Sequence, residues 1–182
     1  MKILAIVGSL RKDSLNKQLA LAAQQMVGDK AEFVVLDYAD VPLFNQDIEY
    51  PAPAAIARVR QEVEAADGIW FFTPEYNHFF SGVLKNLIDW LSRPQEGGKT
   101  NSLDGKPVAI SGISLGGSGT LLAQDNLVAL ISFLNMKVMN VPRLFIPNAM
   151  SQMQGSQLEL AGSKPYLAKQ AEAFIEFTKN NK

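Results

Sequence analysis

The sequence predicts an α/β protein: a three-layer sandwich with helices on both faces of a five-stranded parallel sheet. Strand-length apolar runs alternate with stretches of helical period from one end to the other. Those runs are apolar throughout, as expected of strands covered on both faces. The 182 residues, 47% of them hydrophobic, suit a single domain spanning 1–182 with a substantial core, and no repeat or low-complexity tract interrupts it.

Lys2–Gly8 (KILAIVG) reads as the first strand. From Ser14 to about Val27, Leu15, Leu19, Ala22, Ala23 and Met26 recur at helical spacing, with Ser14 as N-cap. Glu32–Leu36 is the second strand, and a Pro-punctuated connection, Asp37–Pro53, leads to a helix over Ala54–Ala66. Gly68–Thr73 is the third strand, stopped by Pro74. A helix over Ser81–Leu91 carries Val83, Leu84, Leu87, Ile88 and Leu91 on one stripe, and Arg93–Lys106 reads as a mobile loop. Pro107–Ile113 is the fourth strand, followed by a Gly-rich turn and a helix over Thr120–Leu134. The fifth strand falls within Met136–Ile146, where Pro142 predicts an edge or a break. Ser163-Lys164-Pro165 opens a last helix that turns Leu167, Ala171, Phe174 and Ile175 inward. Right-handed crossovers then favour the strand order 2-1-3-4-5.

Composition narrows the chemistry. Cys is absent, which excludes disulfides, thiol nucleophiles and Cys-ligated metals, and His78 is the only His. No metal site is expected, and chemistry borrowed from a cofactor is favoured over side-chain catalysis. The net charge of −1 points to neither nucleic acid nor a membrane surface. With no signal segment or membrane span apparent, the chain reads as cytoplasmic.

Ligands of such a sheet bind at the carboxyl ends of the strands, near the switch in strand order. Three loops meet there. Gly8–Asn16 matches neither GxGxxG nor the Walker loop, yet Ser9, Arg11, Ser14 and Asn16 around a helix start suit a phosphate monoester. The plain alternative is a capping Ser14 and a solvated Arg11. Pro74-Glu75-Tyr76-Asn77 offers backbone groups and a ring that can meet the edge of a flavin, or simply a tight turn with packing aromatics at Tyr76, Phe79 and Phe80. Ser114-Leu115-Gly116-Gly117-Ser118-Gly119 allows a flat ligand close approach, or merely connects strand to helix.

GSLRKDSLNKQLA, PEYN, GVLKNLIDWLSR and the Gly116-Gly117 turn together resemble the NAD(P)H-dependent FMN reductases, a flavodoxin-like family that includes quinone and chromate reductases. The resemblance runs over roughly Met1 to Met150. It implies that Ser9, Arg11, Ser14 and Asn16 hold the FMN phosphate. Pro74, Glu75, Tyr76 and Asn77 are implied to line the isoalloxazine, with Ser114, Gly116 and Gly117 on its other side. It also implies ping-pong hydride transfer from NADPH or NADH to small acceptors such as quinones, azo dyes, nitro compounds, flavin or chromate. No catalytic side chain is required. His78, Phe79 and Ser81 stand where relatives often have a small residue, Ser and Pro, and the helix after the fourth strand starts without the commoner basic residue. Both departures bear on the acceptor. The rival readings are a flavodoxin-type electron carrier, which the near-neutral charge disfavours, and a flavin-free regulator on the same fold.

The helix over Thr120–Leu134 carries Leu121, Leu122, Leu127, Val128, Leu130, Ile131, Phe133 and Leu134, too wide for one buried stripe. With Trp90 at the edge of its own stripe, and Phe79–Phe80 expected to wall a neighbour's site, a homodimer or homotetramer is predicted. Lys85 and Asp89 are expected to pair at i,i+4 on the surface.

Overall fold

A computed structural model describes residues 1–98 and 100–181. The elements run β1 (Lys2–Val7), α1 (Leu15–Val27), β2 (Glu32–Val35), α2 (Ala54–Ala65), β3 (Gly68–Phe72), α3 (Gly82–Leu91), β4 (Pro107–Ile113), α4 (Leu121–Phe133), β5 (Lys137–Val138), β6 (Leu144–Ile146), β7 (Met153–Gln154), β8 (Gln157–Leu158) and α5 (Lys164–Asn180). The sheet is parallel in the order β2-β1-β3-β4-β5, the flavodoxin-like topology expected. Its fifth position holds two short pieces, because both β5 and β6 pair with β4. Between them Pro142 lacks the amide a ladder needs, which is the break its presence predicted. The antiparallel hairpin β7–β8 has no counterpart in the sequence reading.

The alternation of side chains along the strands builds two cores. Leu4, Ile6, Ile69, Phe71, Val108 and Ile110 face the side covered by α2, α3 and α4. Ile3, Ala5, Val7, Trp70, Phe72 and Ala109 face α1 and α5, where Leu167, Ala171, Phe174 and Ile175 all turn inward. Gln170 of α5 donates to the carbonyls of Ile110 (2.9 Å) and Pro142 (3.0 Å) and accepts from Ser111 at 2.6 Å. A buried polar side chain is thereby satisfied and the helix is fixed to the edge of the sheet.

Two expectations about surfaces are corrected. Trp90 is fully buried: its indole donates to the Pro42 carbonyl at 2.9 Å, and its ring packs edge-on to Phe44 with centroids 4.9 Å apart. The connection after β2 folds back over α3, and Asn86 holds it by donating to the Pro42 carbonyl and accepting from the Phe44 amide. Phe80 likewise belongs to the core of its own chain. The segment read as a mobile loop is anchored in its described parts. Arg93 pairs with Glu49 at 2.7 Å, Leu103 is buried, and the Lys106 ammonium donates to the carbonyls of Glu64 and Ala66 at the end of α2. Lys99 lies outside the described residues.

Candidate active site

Strands β1, β3 and β4 end together, and their ladders continue one step beyond the last strand residues. The Gly8 amide donates to the Phe72 carbonyl, the Thr73 amide to Ser111, and the Ser114 amide to Ile146. Three loops therefore leave the sheet from a shared edge. Gly8 permits this crowding, since a Cβ there would meet Ser81 Oγ at 3.0 Å and Pro74 Cδ at 3.1 Å.

The cleft between these loops has a volume of about 310 Å³, at the low end of small-molecule sites. Of the residues expected at the site, Ser9, Arg11, Ser14, Asn16, Pro74, Glu75, Tyr76, Ser114 and Gly116 line it. Asn77 and Gly117 stand outside that lining, whereas Leu15, Ile113, Leu115 and Ser118 belong to it. Leu115 and Ser118 were within reach of the sequence, being neighbours of the glycines in a loop already singled out. Leu15 and Ile113 were masked by their elements, since each also reads as an ordinary apolar helix or strand residue.

The first wall is the start of α1. Ser14 is extended, and its Oγ accepts the Lys17 amide at 3.2 Å, as an N-cap does. That satisfies the third helical amide; the first two, of Leu15 and Asn16, have no intrahelical acceptor, and both residues line the cleft. Arg11 is exposed, and its guanidinium makes no ion pair or hydrogen bond among the described residues. Asn16 differs from expectation. Its amide is buried and committed to the end of β4, donating to the Ile113 carbonyl at 3.0 Å and accepting from the Ile113 amide at 3.1 Å. It ties two walls of the cleft together.

The second wall is a hairpin turn. Tyr76 and Phe79 exchange both backbone hydrogen bonds, at 2.9 and 3.0 Å, and the residues between them, Asn77 (φ 53°) and His78 (φ 62°), are left-handed. This is the pattern of a type I′ turn, in which Asn is favoured. Asn77 serves the turn and stands outside the cleft lining. Tyr76 remains on the lining and is 56% exposed.

Glu75 has a role the sequence did not signal. Helix α4 begins after Thr120, a left-handed residue whose side chain makes no cap bond. The Glu75 carboxylate supplies the cap from another loop, accepting the Ala123 amide at 3.1 Å and the Ser118 hydroxyl at 2.8 Å. His78 Nδ1 lies 3.6 Å from the same carboxylate. Burial alone pushes this carboxyl up, but the amide, the hydroxyl and the imidazole outweigh it and hold it below the usual range. Ser81, the departure at the head of α3, proves to be that helix's N-cap, its Oγ accepting the Leu84 amide.

The third wall is the loop 114–119. Its close approach to β3 depends on Gly112, where a Cβ would fall 2.1 Å from Thr120 Oγ1 and 2.5 Å from the Thr73 carbonyl oxygen. At Gly116 a Cβ would meet nothing within 4 Å, so no protein atom requires glycine on this cleft wall. A doubly wound sheet with an open helix start and an unpaired cation at its switch point defines a mononucleotide-binding α/β protein.

The family profile of the NADPH-dependent FMN reductases matches residues 1–151, and the chain belongs to that family. It is 38% identical over 156 residues to the 2-hydroxy-1,4-benzoquinone reductase of Burkholderia sp, covering 86% of this chain and 84% of that protein. It is 40% identical over 150 residues to an NAD(P)H-dependent FMN reductase of Pseudomonas aeruginosa, covering 82% and 79% of the two chains. Among solved structures, the flavoenzyme NAD(P)H:(acceptor) oxidoreductase FerB of Paracoccus denitrificans superposes with a TM-score of 0.88 at 32% identity, over 99% of this chain and 98% of that one. The protein is accordingly an oxidoreductase that uses FMN and NAD(P)H.

Proposed function

We propose that the cleft holds FMN and that the protein reduces quinones with NAD(P)H. In this reading Ser9, Arg11, Ser14 and the Leu15 and Asn16 amides hold the phosphate, while Asn16 steadies their wall against β4. Pro74, Glu75 and Tyr76 line one side of the ring and Ser114 and Gly116 the other, with Asn77 and Gly117 shaping the turns behind them. The unpaired Arg11 guanidinium beside the open start of α1 carries the reading. The donor set fits a phosphate monoester, and the free space at Gly116 fits a flat ring.

Bound FMN supplies two-electron chemistry, taking a hydride from NAD(P)H and yielding it to an acceptor in successive half-reactions. The chain's own contribution is position. Ser14 and Arg11 fix the anionic tail, and Glu75 clamps the loop 114–119 to the Tyr76 turn. The exposed Tyr76 and Leu115 offer apolar surface on which flat reactants stack. Quinones head the list of acceptors, supported by the quinone reductases among the relatives, with azo, nitro, flavin and chromate acceptors open to the same site. All of 1–182 acts as one domain in this reading, since α5 covers one face of the sheet that builds the site.

Among the described residues no helix is long and apolar enough to cross a membrane. A cysteine-free enzyme fed by soluble nicotinamide suits the cytoplasm. Helix α4 buries Leu127 and Ile131 but leaves Leu121, Leu122 and Phe133 exposed, the last at 85%. Together with the exposed Phe79, on the turn that Asn126 of α4 holds, they support a homodimer, alone or paired into a tetramer. A sedimentation profile holding only a 19.9 kDa species at micromolar concentration would rule the assembly out.

The decisive experiment is Arg11→Ala. FMN affinity should fall about 10- to 100-fold, the worth of a charge-assisted contact, with an unchanged circular dichroism spectrum. An affinity equal to that of the parent overturns the placement.

A further inference from the structure

We propose that His78 donates the proton that a quinone acceptor needs, making it a catalytic residue of the oxidative half-reaction. The proposal rests on the cleft as the site of flavin and acceptor. A quinone becomes a hydroquinone by taking up one hydride and one proton. NAD(P)H ultimately supplies the hydride; the proton goes to a quinone oxygen from another donor.

The groups lining the cleft leave few candidates, since the phenol that Tyr76 brings is ordinarily a far weaker acid than an imidazolium. Arg11 keeps its proton at any working pH. The Glu75 carboxylate is ionised and committed to Ala123 and Ser118, held below the usual carboxylate range by contacts that include His78 itself. Just outside that lining, two residues beyond Tyr76 at the tip of the turn and against the lining residue Glu75, stands His78, the only imidazole in the chain. Its Nδ1 faces Glu75 at 3.6 Å, and among the described residues Nε2 has no hydrogen-bond partner. At 79% exposure the ring regains a proton from water after each transfer. Imidazole is also the side chain most often used for general acid–base catalysis.

The surroundings hold the turn without taking up the ring. Helix α4 reaches it through Asn126, whose Nδ2 donates to the His78 carbonyl at 3.2 Å. The neighbouring Asp125 is paired with Arg143 at 2.8 Å, and among the described residues Glu75 is the carboxylate within 4 Å of the imidazole. In the transfer, the Nε2–H bond of the imidazolium breaks as an O–H bond forms on the reduced acceptor. Neutral imidazole remains, and water restores its proton.

The left-handed backbone at residue 78 provides a clean test. Glycine adopts φ 62° without strain, so His78→Gly removes the ring and leaves the turn intact. In the FMN-loaded enzyme with NAD(P)H, the ratio of kcat/KM for 1,4-naphthoquinone to that for ferricyanide, which accepts an electron without a proton, should fall about a hundredfold. Added imidazole should restore much of the quinone rate. In the parent, without NAD(P)H and hence without turnover, naphthoquinone at saturating concentration should move the sole imidazole's Cε1-proton resonance. An unchanged acceptor ratio, a loss that imidazole does not rescue, or a resonance indifferent to quinone overturns the proposal. Failure of the underlying site reading looks different: Arg11→Ala keeps full FMN affinity, whatever the acceptor ratio of the His78 variant.

Discussion

Two helices start at the cleft, and they treat their amides in opposite ways. Helix α1 is capped from within by Ser14, which takes the Lys17 amide and leaves the first two open beside an unpaired Arg11. Helix α4 has no cap of its own, and a buried carboxylate from the Glu75 turn already occupies its third amide. Both carry the same partial positive charge at the end facing the cleft. One is left open to an anion from outside, the phosphate in the proposed reading; the other is filled by an anion the protein carries. A helix start at a switch point can serve a foreign anion only where the chain has not filled it.

The contrast breaks most severely at Gly112. Alanine there collides with Thr120 and the Thr73 carbonyl, and the start of α4 has to move. Gly112→Ala should cost about 3 kcal/mol in denaturant unfolding, the upper range for overpacking. Glu75→Ala comes next: loss of the charged cap should cost about 2 kcal/mol at pH 7. Its pH dependence has a definite sign. A carboxyl held below its ordinary value stabilises the fold above the unfolded value of about 4.3, and that contribution is lost as the pH falls through the folded value. The gap in Tm between parent and Glu75→Ala should therefore be constant above about pH 5 and close in more acid solution. Arg11→Ala, by comparison, should leave Tm of the flavin-free protein where it was, because nothing among the described residues pairs with that cation. Ser14→Ala should cost about 1 kcal/mol and, on the proposed placement, weaken FMN as well, since the same hydroxyl would serve helix and ligand. Lys85→Ala sharpens the scale from below: its pair with Asp89, at 2.7 Å on a half-exposed surface, should be worth about 0.3 kcal/mol.

What the sequence revealed and what it concealed divide along the same line. β4 begins and ends at the expected residues, and the inward face of α5 holds the four side chains named for it, because strand and helix periods are local signals. Ser14 as a cap was equally legible, one residue before its helix. The Glu75 cap was not, because its amide lies 48 positions away and a carboxylate in a turn has no period. Asn16 resembled a phosphate ligand by type and place, but its partner, Ile113, is 97 residues distant. Trp90 looked like an edge residue because helical spacing says nothing of the Pro42 connection that returns to cover it. The strand order came from the rules of crossover handedness and chain length, which act on the whole fold and need no single contact.

The paired bonds between Asn16 and Ile113 have an effect that reaches past their own energy. They stitch the lip of one helix to the far end of a strand on the opposite bank, so the gap between the banks is a property of the scaffold. On the proposed placement a guest is gauged against that opening, its tail and its disc fitted by a single measurement.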